Sequence, residues 1–382
     1  MNPTRAEIDL GKLAYNFEQV KKHLHRHSPG RRIKICGVVK ANAYGHGIEE
    51  ISKKLVEVGA DYLGVANYDE AIRLRKLIPE AQILVFGTLI HSKLEPRDYV
   101  SKLLKYNLIA TVASLDTAKF LDFYSRKLKR KFKVHIEVDT GMRRIGFDVK
   151  RAFKNILQVC SLKNIFVEGI FTHFAASELR NKSFAKYQLS RFKELLYELK
   201  KSGIEIPVIH SANSGAILDM KDSYFNMVRP GIILYGYYPS AEVKNKIDIK
   251  PIMNLKSKVM FIKKVEPDVS ISYGRKYFTN GSTYIGSVPV GYGDGYWSLL
   301  TNKSKVLINK KFYPTVGAIT MDWLMVDLGE KKRVRIGDDV LLIGQENENS
   351  VGADKLAKIT GTIPYEICCA VADRVRRIYI NK

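Results

Sequence analysis

VVKANAYGHG, residues 38–47, sets a lysine at the end of an apolar run and follows it at once with a turn carrying Tyr44, Gly45, His46 and Gly47. With the residues before it, 33–40 reads as a β-strand that ends on Lys40. Burying an ammonium without a partner is costly, and the group responds by losing its proton or by reacting. A neutral, desolvated lysine is the amine that forms a Schiff base with an aldehyde cofactor. A lysine at a strand end is also an ordinary surface residue, so the surrounding chain decides between the two.

Outward from Lys40, strand-like runs recur at 62–66, 82–87, 108–112, 132–138, 165–171, 206–210 and 232–236. Segments such as GIEEISKKLVEVG and YQLSRFKELLYELKKSG separate them, with apolar residues at helical spacing. Eight strand–helix units over roughly 200 to 250 residues predict an α/β fold, a TIM-type (β/α)8 barrel. An open doubly wound sheet is the rival, but no GxGxxG follows the first strand.

Active sites of such barrels sit at the C-terminal ends of the strands. The unusual polar residues fall there: Lys40 after the first strand, Asp139, Thr140 and Arg144 after the fifth, and His173 after the sixth. His210, Asn213 and Ser214 follow the seventh, and Arg229 precedes the eighth, expected at 232–236. Beyond residue 240 the texture turns to alternating strand patterns such as STYIGSVPVG and DDVLLIG, with one clear helix signal, ADKLAKITG. The expected domains are a barrel over 1–240 and a mostly-β C-terminal domain over 241–382.

The 382 residues, 46% hydrophobic, suffice for two domains with large cores. No apolar run approaches the roughly 18 residues of a membrane span, and no basic-then-apolar leader opens the chain, so a soluble cytoplasmic protein is expected. Four cysteines without CxxC spacing fit a reducing compartment. His23, His25 and His27 alternate in a way that suggests metal, but on a helix they point apart, and a solvated face is the better reading. The net charge of +24 invites a nucleic-acid partner. The lysines are spread over nearly every expected helix, however, and form no tail or aromatic-interleaved block, so neither nucleic acid nor membrane is the expected partner.

Nine stretches then carry a resemblance that runs nearly end to end: VVKANAYGHG, VDTGMRRIGF, FTHFAAS, HSANSGA, VRPGIILYG, ISYGRKY, PVGYGDGY, GAITMDWLMVDLG and TIPYE, in that order. Together they resemble the bacterial alanine racemases, pyridoxal 5'-phosphate (PLP) enzymes with a barrel and a second, β domain. The resemblance implies a homodimer whose sites are built from one barrel and the partner's β domain, acting on a small amino acid and supplying D-alanine for peptidoglycan.

By that resemblance Lys40 holds the cofactor and serves as the base at one face of the substrate Cα, with Tyr273 as the base at the other. Removing a proton from one side and returning it on the opposite side needs two such groups. A phenol of ordinary acidity, near pH 10, is a weak base at neutral pH, and His173 linked toward Arg229 is the family's means of adjusting it. Arg229 is similar to the arginine facing the pyridine nitrogen. An always-protonated guanidinium only donates there, which weakens the electron sink and suits a racemase. The phosphate cradle implied is Tyr44, Ser214, Gly231, Ile232 and Tyr365, with Asn213 beside it. The substrate carboxylate falls to Arg144 and the backbone N–H of Met321, and Tyr292 with Tyr365 narrows the entrance.

Two positions depart from the family pattern. Many members carry a carbamylated lysine two residues before the DTGM aspartate, where this chain has Glu137. The glutamate keeps the negative charge on a side chain roughly three bonds shorter, so it orients Arg144 directly, through water, or not at all. The cysteine common before the Met-Asp pair is Thr320 here. A serine or broad-specificity racemase therefore stays open beside the alanine enzyme, and so does a non-catalytic PLP-binding protein.

Overall fold

Eight parallel strands close a ring in the computed structural model, which describes residues 3–88 and 96–381. They are β2 (Lys34–Val38), β3 (Tyr62–Val65), β4 (Ile83–Thr88), β5 (Ile109–Val112), β6 (Phe132–Asp139), β8 (Ile165–Phe171), β9 (Val208–His210) and β10 (Met227–Val228). Numbering counts β1 (Arg5–Asp9), before the ring, and the two-residue β7 (Phe147–Asp148), which pairs with β6. The order β5-β4-β3-β2-β10-β9-β8-β6 is closed by β5 pairing with β6. Inside, Cys36, Tyr62, Leu84, Ile109, Val208 and Met227 from successive strands meet as a separate apolar layer. Each large aliphatic buried this way contributes about 1.5–3 kcal/mol.

The eighth strand is not where the sequence put it. It is Met227–Val228, and the apolar run Ile232–Tyr235 is instead a 3-10 helix ended by Gly236 at φ 87°. Those four residues are all fully buried, and a short, uniformly apolar run carries no periodicity that separates a buried strand from a buried helix. Arg229 consequently follows the last strand instead of preceding it, which puts it at the mouth with the other polar residues.

The remaining strands build two sheets. β11 (Met253–Lys258), β14 (Lys305–Ile308), β15 (Lys311–Pro314), β17 (Asp339–Glu346), β18 (Asn349–Val351) and β19 (Arg376–Ile380) form one, while β12 (Phe261–Val265), β13 (Thr283–Val288) and β16 (Leu324–Asp327) form the other. β1 joins the first of these sheets, antiparallel to β11 and parallel to β19. Residues 5–9, which the sequence grouped with the barrel, thus complete the sheet of the other half. The helix Ala353–Thr360 lies where ADKLAKITG pointed, and a second helix, Pro364–Cys369, follows it.

The histidine triplet is also different from expectation. His25 and His27 are exposed, but His23 is buried with Nε2 against the carbonyl of Ile217 at 2.9 Å, because the helix Leu10–His27 turns that face to the core.

Candidate functional site

The backbone around Lys40 explains how a lysine comes to stand at the mouth. Ala41, Asn42, Ala43 and Tyr44 all have φ between 52° and 54°, a left-handed turn made without glycine. Such a conformation costs about 1–2 kcal/mol per residue, so the surroundings must impose it. Glu70 accepts from the N–H of Ala41 (2.7 Å) and of Ala66 (2.9 Å), and the Asn42 side chain accepts from Ile48 N–H at 2.9 Å. From the other half of the chain, Arg377 donates twice to the carbonyl of Gly45, at 3.2 and 3.0 Å, and Tyr379 Oη donates to that of His46 at 3.3 Å. The turn and the C-terminal strand therefore fix each other.

Gly45 makes this fit possible. Its φ is 80°, and a Cβ there would lie 2.2 Å from the carbonyl oxygen of Cys368. Gly45→Ala is expected to cost about 1–3 kcal/mol from the backbone alone, with the clash in addition. A thermal melt within a degree of wild type would show that the turn relaxes more easily than this.

A single cavity of about 1180 Å³ opens at the mouth. Lys40, Tyr44, Arg144, His173, Asn213, Ser214, Arg229, Gly231, Ile232 and Tyr365, all singled out from sequence, face it together with Glu137. Burial, and next the charge of Arg144, lower the pKa of Lys40, so its amine loses its proton more readily than a free lysine. His173 is driven well below the ordinary histidine value by burial and by Arg229, Arg144 and Lys40, and its ring is neutral.

Arg229 is buried and used on several sides. Nη1 donates to His210 Nδ1 at 2.7 Å; Nη2 reaches the carbonyls of Thr172 (3.0 Å) and Ser211 (3.2 Å) and His173 Nδ1 at 3.3 Å. The guanidinium also lies over the Phe171 ring, 5.2 Å from its centroid. Burial lowers even this group to about 10. Because Arg229 can only donate, His173 receives at Nδ1 and carries its hydrogen on Nε2.

A polar cradle lies across the cavity. Ser214 Oγ accepts from Gly231 N–H at 2.9 Å, and a Cβ on Gly231 would stand 2.5 Å from Tyr44 Oη. Tyr44 is flanked by Tyr235 and Tyr365, with ring centroids 4.6 and 5.8 Å away. Asn213 caps the helix Ser214–Asp219 by accepting from Ala216 N–H at 3.1 Å, and Ser177 Oγ donates to it at 2.6 Å. Hydroxyls and a glycine backbone of this kind fit a phosphate, and a lysine of lowered pKa beside a buried arginine fits the rest of pyridoxal phosphate.

Glu137 is buried, and no ion pair joins it to Arg144 among the described residues. Burial raises it to about 7 against the pull of Arg144 and Arg229. A raised carboxyl pKa favours the folded state at low pH, and that benefit fades as pH rises from the ordinary 4.5 through about 7. Glu137→Gln is expected to flatten the pH dependence of stability over that window. With Glu137 in place of a carbamylated lysine, activity should be the same in carbon-dioxide-free buffer and with added bicarbonate; stimulation by bicarbonate would contradict it.

Tyr273, Tyr292 and Met321 do not face this cavity. They stand on the β half, 77%, 49% and 53% exposed. Neighbouring turns hold them: Ser272 Oγ donates to the carbonyl of Ala318 at 2.7 Å, and Tyr292 N–H to that of Thr320 at 3.0 Å. Asp294 and Asp322 grip Arg374 beneath them, each at 2.8 Å.

Comparison with known proteins matches residues 8–239 to the alanine racemase N-terminal domain and 252–379 to the alanine racemase C-terminal domain. The chain belongs to the alanine racemase family. It is 43% identical over its whole length to the alanine racemase of Halothermothrix orenii, covering 97% of that protein. The solved alanine racemase of Clostridium difficile 630 is 39% identical, with a TM-score of 0.91 over 99% of this chain and 96% of that one. The Bartonella henselae alanine racemase, solved with covalently bound pyridoxal phosphate, is 29% identical with a TM-score of 0.86, over 100% of both chains.

Several residues of the site had no signal in the sequence. Arg377 and Tyr379 sit in a strand with no local motif, and Glu70 lies on a helix whose acidic residues look solvated. His135, inside FKVHIEV, reads as a lone core histidine.

Proposed function

We propose that this protein interconverts L-alanine and D-alanine with pyridoxal phosphate, through two bases on opposite faces of the substrate. The observation that carries the reading is the convergence of a lysine with lowered pKa, a donor-only arginine and a glycine–hydroxyl cradle in one cavity at the barrel mouth. Tyr44, Ser214, Tyr365 and the backbone of Gly231 and Ile232 would hold the phosphate, Lys40 the aldehyde carbon and Arg229 the pyridine nitrogen. When bound, the group supplies the electron sink that acidifies the hydrogen on Cα.

Lys40 takes or gives the proton on one face, helped by the burial that makes its amine lose its proton more readily. Tyr273 acts on the other. Its exposure within one chain, beside Tyr292 and Met321, supports a homodimer in which these three residues close the partner's cavity. His173, hydrogen on Nε2, is then the donor presented to the hydroxyl of Tyr273 of the partner subunit. Arg144 and the Met321 N–H position the carboxylate, and Tyr292 with Tyr365 limits the side chain to little more than a methyl.

Chiral chromatography after incubating protein and pyridoxal phosphate with L-alanine, L-serine and larger amino acids tests the reading. D-alanine should form fastest. A preparation that holds pyridoxal phosphate yet makes no D-product would replace the racemase with a carrier of the cofactor.

A further inference from the structure

Behind Arg229 the hydrogen bonds continue through the barrel interior, away from the mouth. His210, which receives Arg229 at Nδ1, stands 2.8 Å from His135 Nδ1 through its Nε2. His135 Nε2 in turn lies 3.3 Å from Glu168 Oε2, and Lys133 Nζ is 3.2 Å from the other carboxylate oxygen. Both imidazoles are wholly buried and Glu168 is buried with them. Gly169 leaves the space: a Cβ there would come within 2.6 Å of the His135 ring. Phe171 stacks on His210 at 4.7 Å and also lies against the Arg229 guanidinium.

The ends of this chain fix the direction of every hydrogen in it. A guanidinium has no acceptor, so His210 Nδ1 is bare and a neutral His210 carries its hydrogen on Nε2. That hydrogen is donated to His135 Nδ1, which leaves His135 with its own hydrogen on Nε2, pointing at a carboxylate that only accepts. With the opposite tautomer, His210 would aim a hydrogen at the hydrogens of Arg229. Burial keeps both imidazoles neutral, lowering His135 and, with Arg229, driving His210 well below the ordinary value. Burial alone would raise Glu168, but the His135 hydrogen bond and Lys133 outweigh it and keep it ionised.

We propose that Glu168 is a positioning residue for Arg229, acting through the tautomers of His135 and His210 to hold the guanidinium in one orientation at the mouth. The proposal rests on the functional reading above for its effect on rate, but its geometry stands in the protein itself. Without an acceptor at Glu168, the hydrogen on His135 Nε2 is buried and unpaired, a cost that works against the tautomer set from the Arg229 end and loosens the constraint on Arg229.

The test is 15N NMR of holoenzyme labelled in histidine, with Glu168→Leu and Glu168→Gln beside wild type. Wild type should show both imidazoles neutral, bare at Nδ1 and protonated at Nε2. Glu168→Leu should lose the single His135 tautomer and lower kcat about 10- to 100-fold with little change in KM, as removal of outer-shell orienting groups does. Glu168→Gln keeps an acceptor, with Lys133 free to turn to solvent, and should retain the tautomers and most of kcat. A hydrogen on Nδ1 of either histidine in wild type would overturn the proposal even if the Leu variant does not fold. So would a folded Leu variant with unchanged tautomers, or a Gln variant as impaired as Leu. If the tautomers are as stated but no D-alanine forms, it is the functional reading that fails.

Discussion

Lys40→Ala is expected to lower racemisation at least ~10⁴-fold and to abolish the visible absorbance of a lysine-linked pyridoxal phosphate. The expected loss is large because the proposed reaction asks one side chain to do two things, to hold the cofactor covalently and to move the proton on one face of Cα. Alanine at this position leaves the left-handed turn alone, since that turn runs over Ala41–Tyr44 and Lys40 is not among its positive-φ residues. The variant should therefore melt close to wild type, and an inactive but folded protein separates lost chemistry from lost structure. Activity within tenfold of wild type would remove Lys40 from the mechanism.

Tyr273→Phe should cost about 10²–10⁴ in kcat, the range for removing a positioned acid–base group, with pyridoxal phosphate still bound. The mixture of the two variants is more telling than either. If each site takes Lys40 from one subunit and Tyr273 from the other, a mixed dimer has one site with both defects and one with neither. Random reassortment of equal amounts then restores about a quarter of wild-type sites. If both residues come from the same chain, every site in the mixture stays defective and no activity returns. Recovery after unfolding and refolding the mixture, measured by D-alanine formation, decides between the two. The exposed trio Tyr273, Tyr292 and Met321 leads us to expect the recovery.

The legible parts of the fold were those with a local cause. Alternating strand and helix patterns gave seven barrel strands within a few residues, because β-strands between amphipathic helices keep distinct periods. Ile232–Tyr235 escaped because its surroundings are apolar on every side, and there no period is written into the chain. β1 escaped for the opposite reason, since a five-residue strand takes its meaning only from the β11 and β19 that flank it. In the site, Lys40, Arg229 and Gly231 were legible through the stretches around them. Glu168 and His135, 33 residues apart, matter only as neighbours in space. Likewise Arg377, 332 residues from Gly45, works through a contact that no local pattern encodes.

That last contact bears on how the molecule is made. A growing chain could complete the ring of eight strands once residue 228 has left the ribosome, since all of them lie between residues 34 and 228. At that moment β1 has neither of its partners, and the turn bearing Lys40 lacks the guanidinium and phenol that brace it. β11 follows at residues 253–258, but β19 with its guanidinium and phenol arrives only with residues 376–380, and pairings so distant in sequence are slow to form. A nascent chain would thus carry a closed ring of strands before the braces of its lysine-bearing turn are in place.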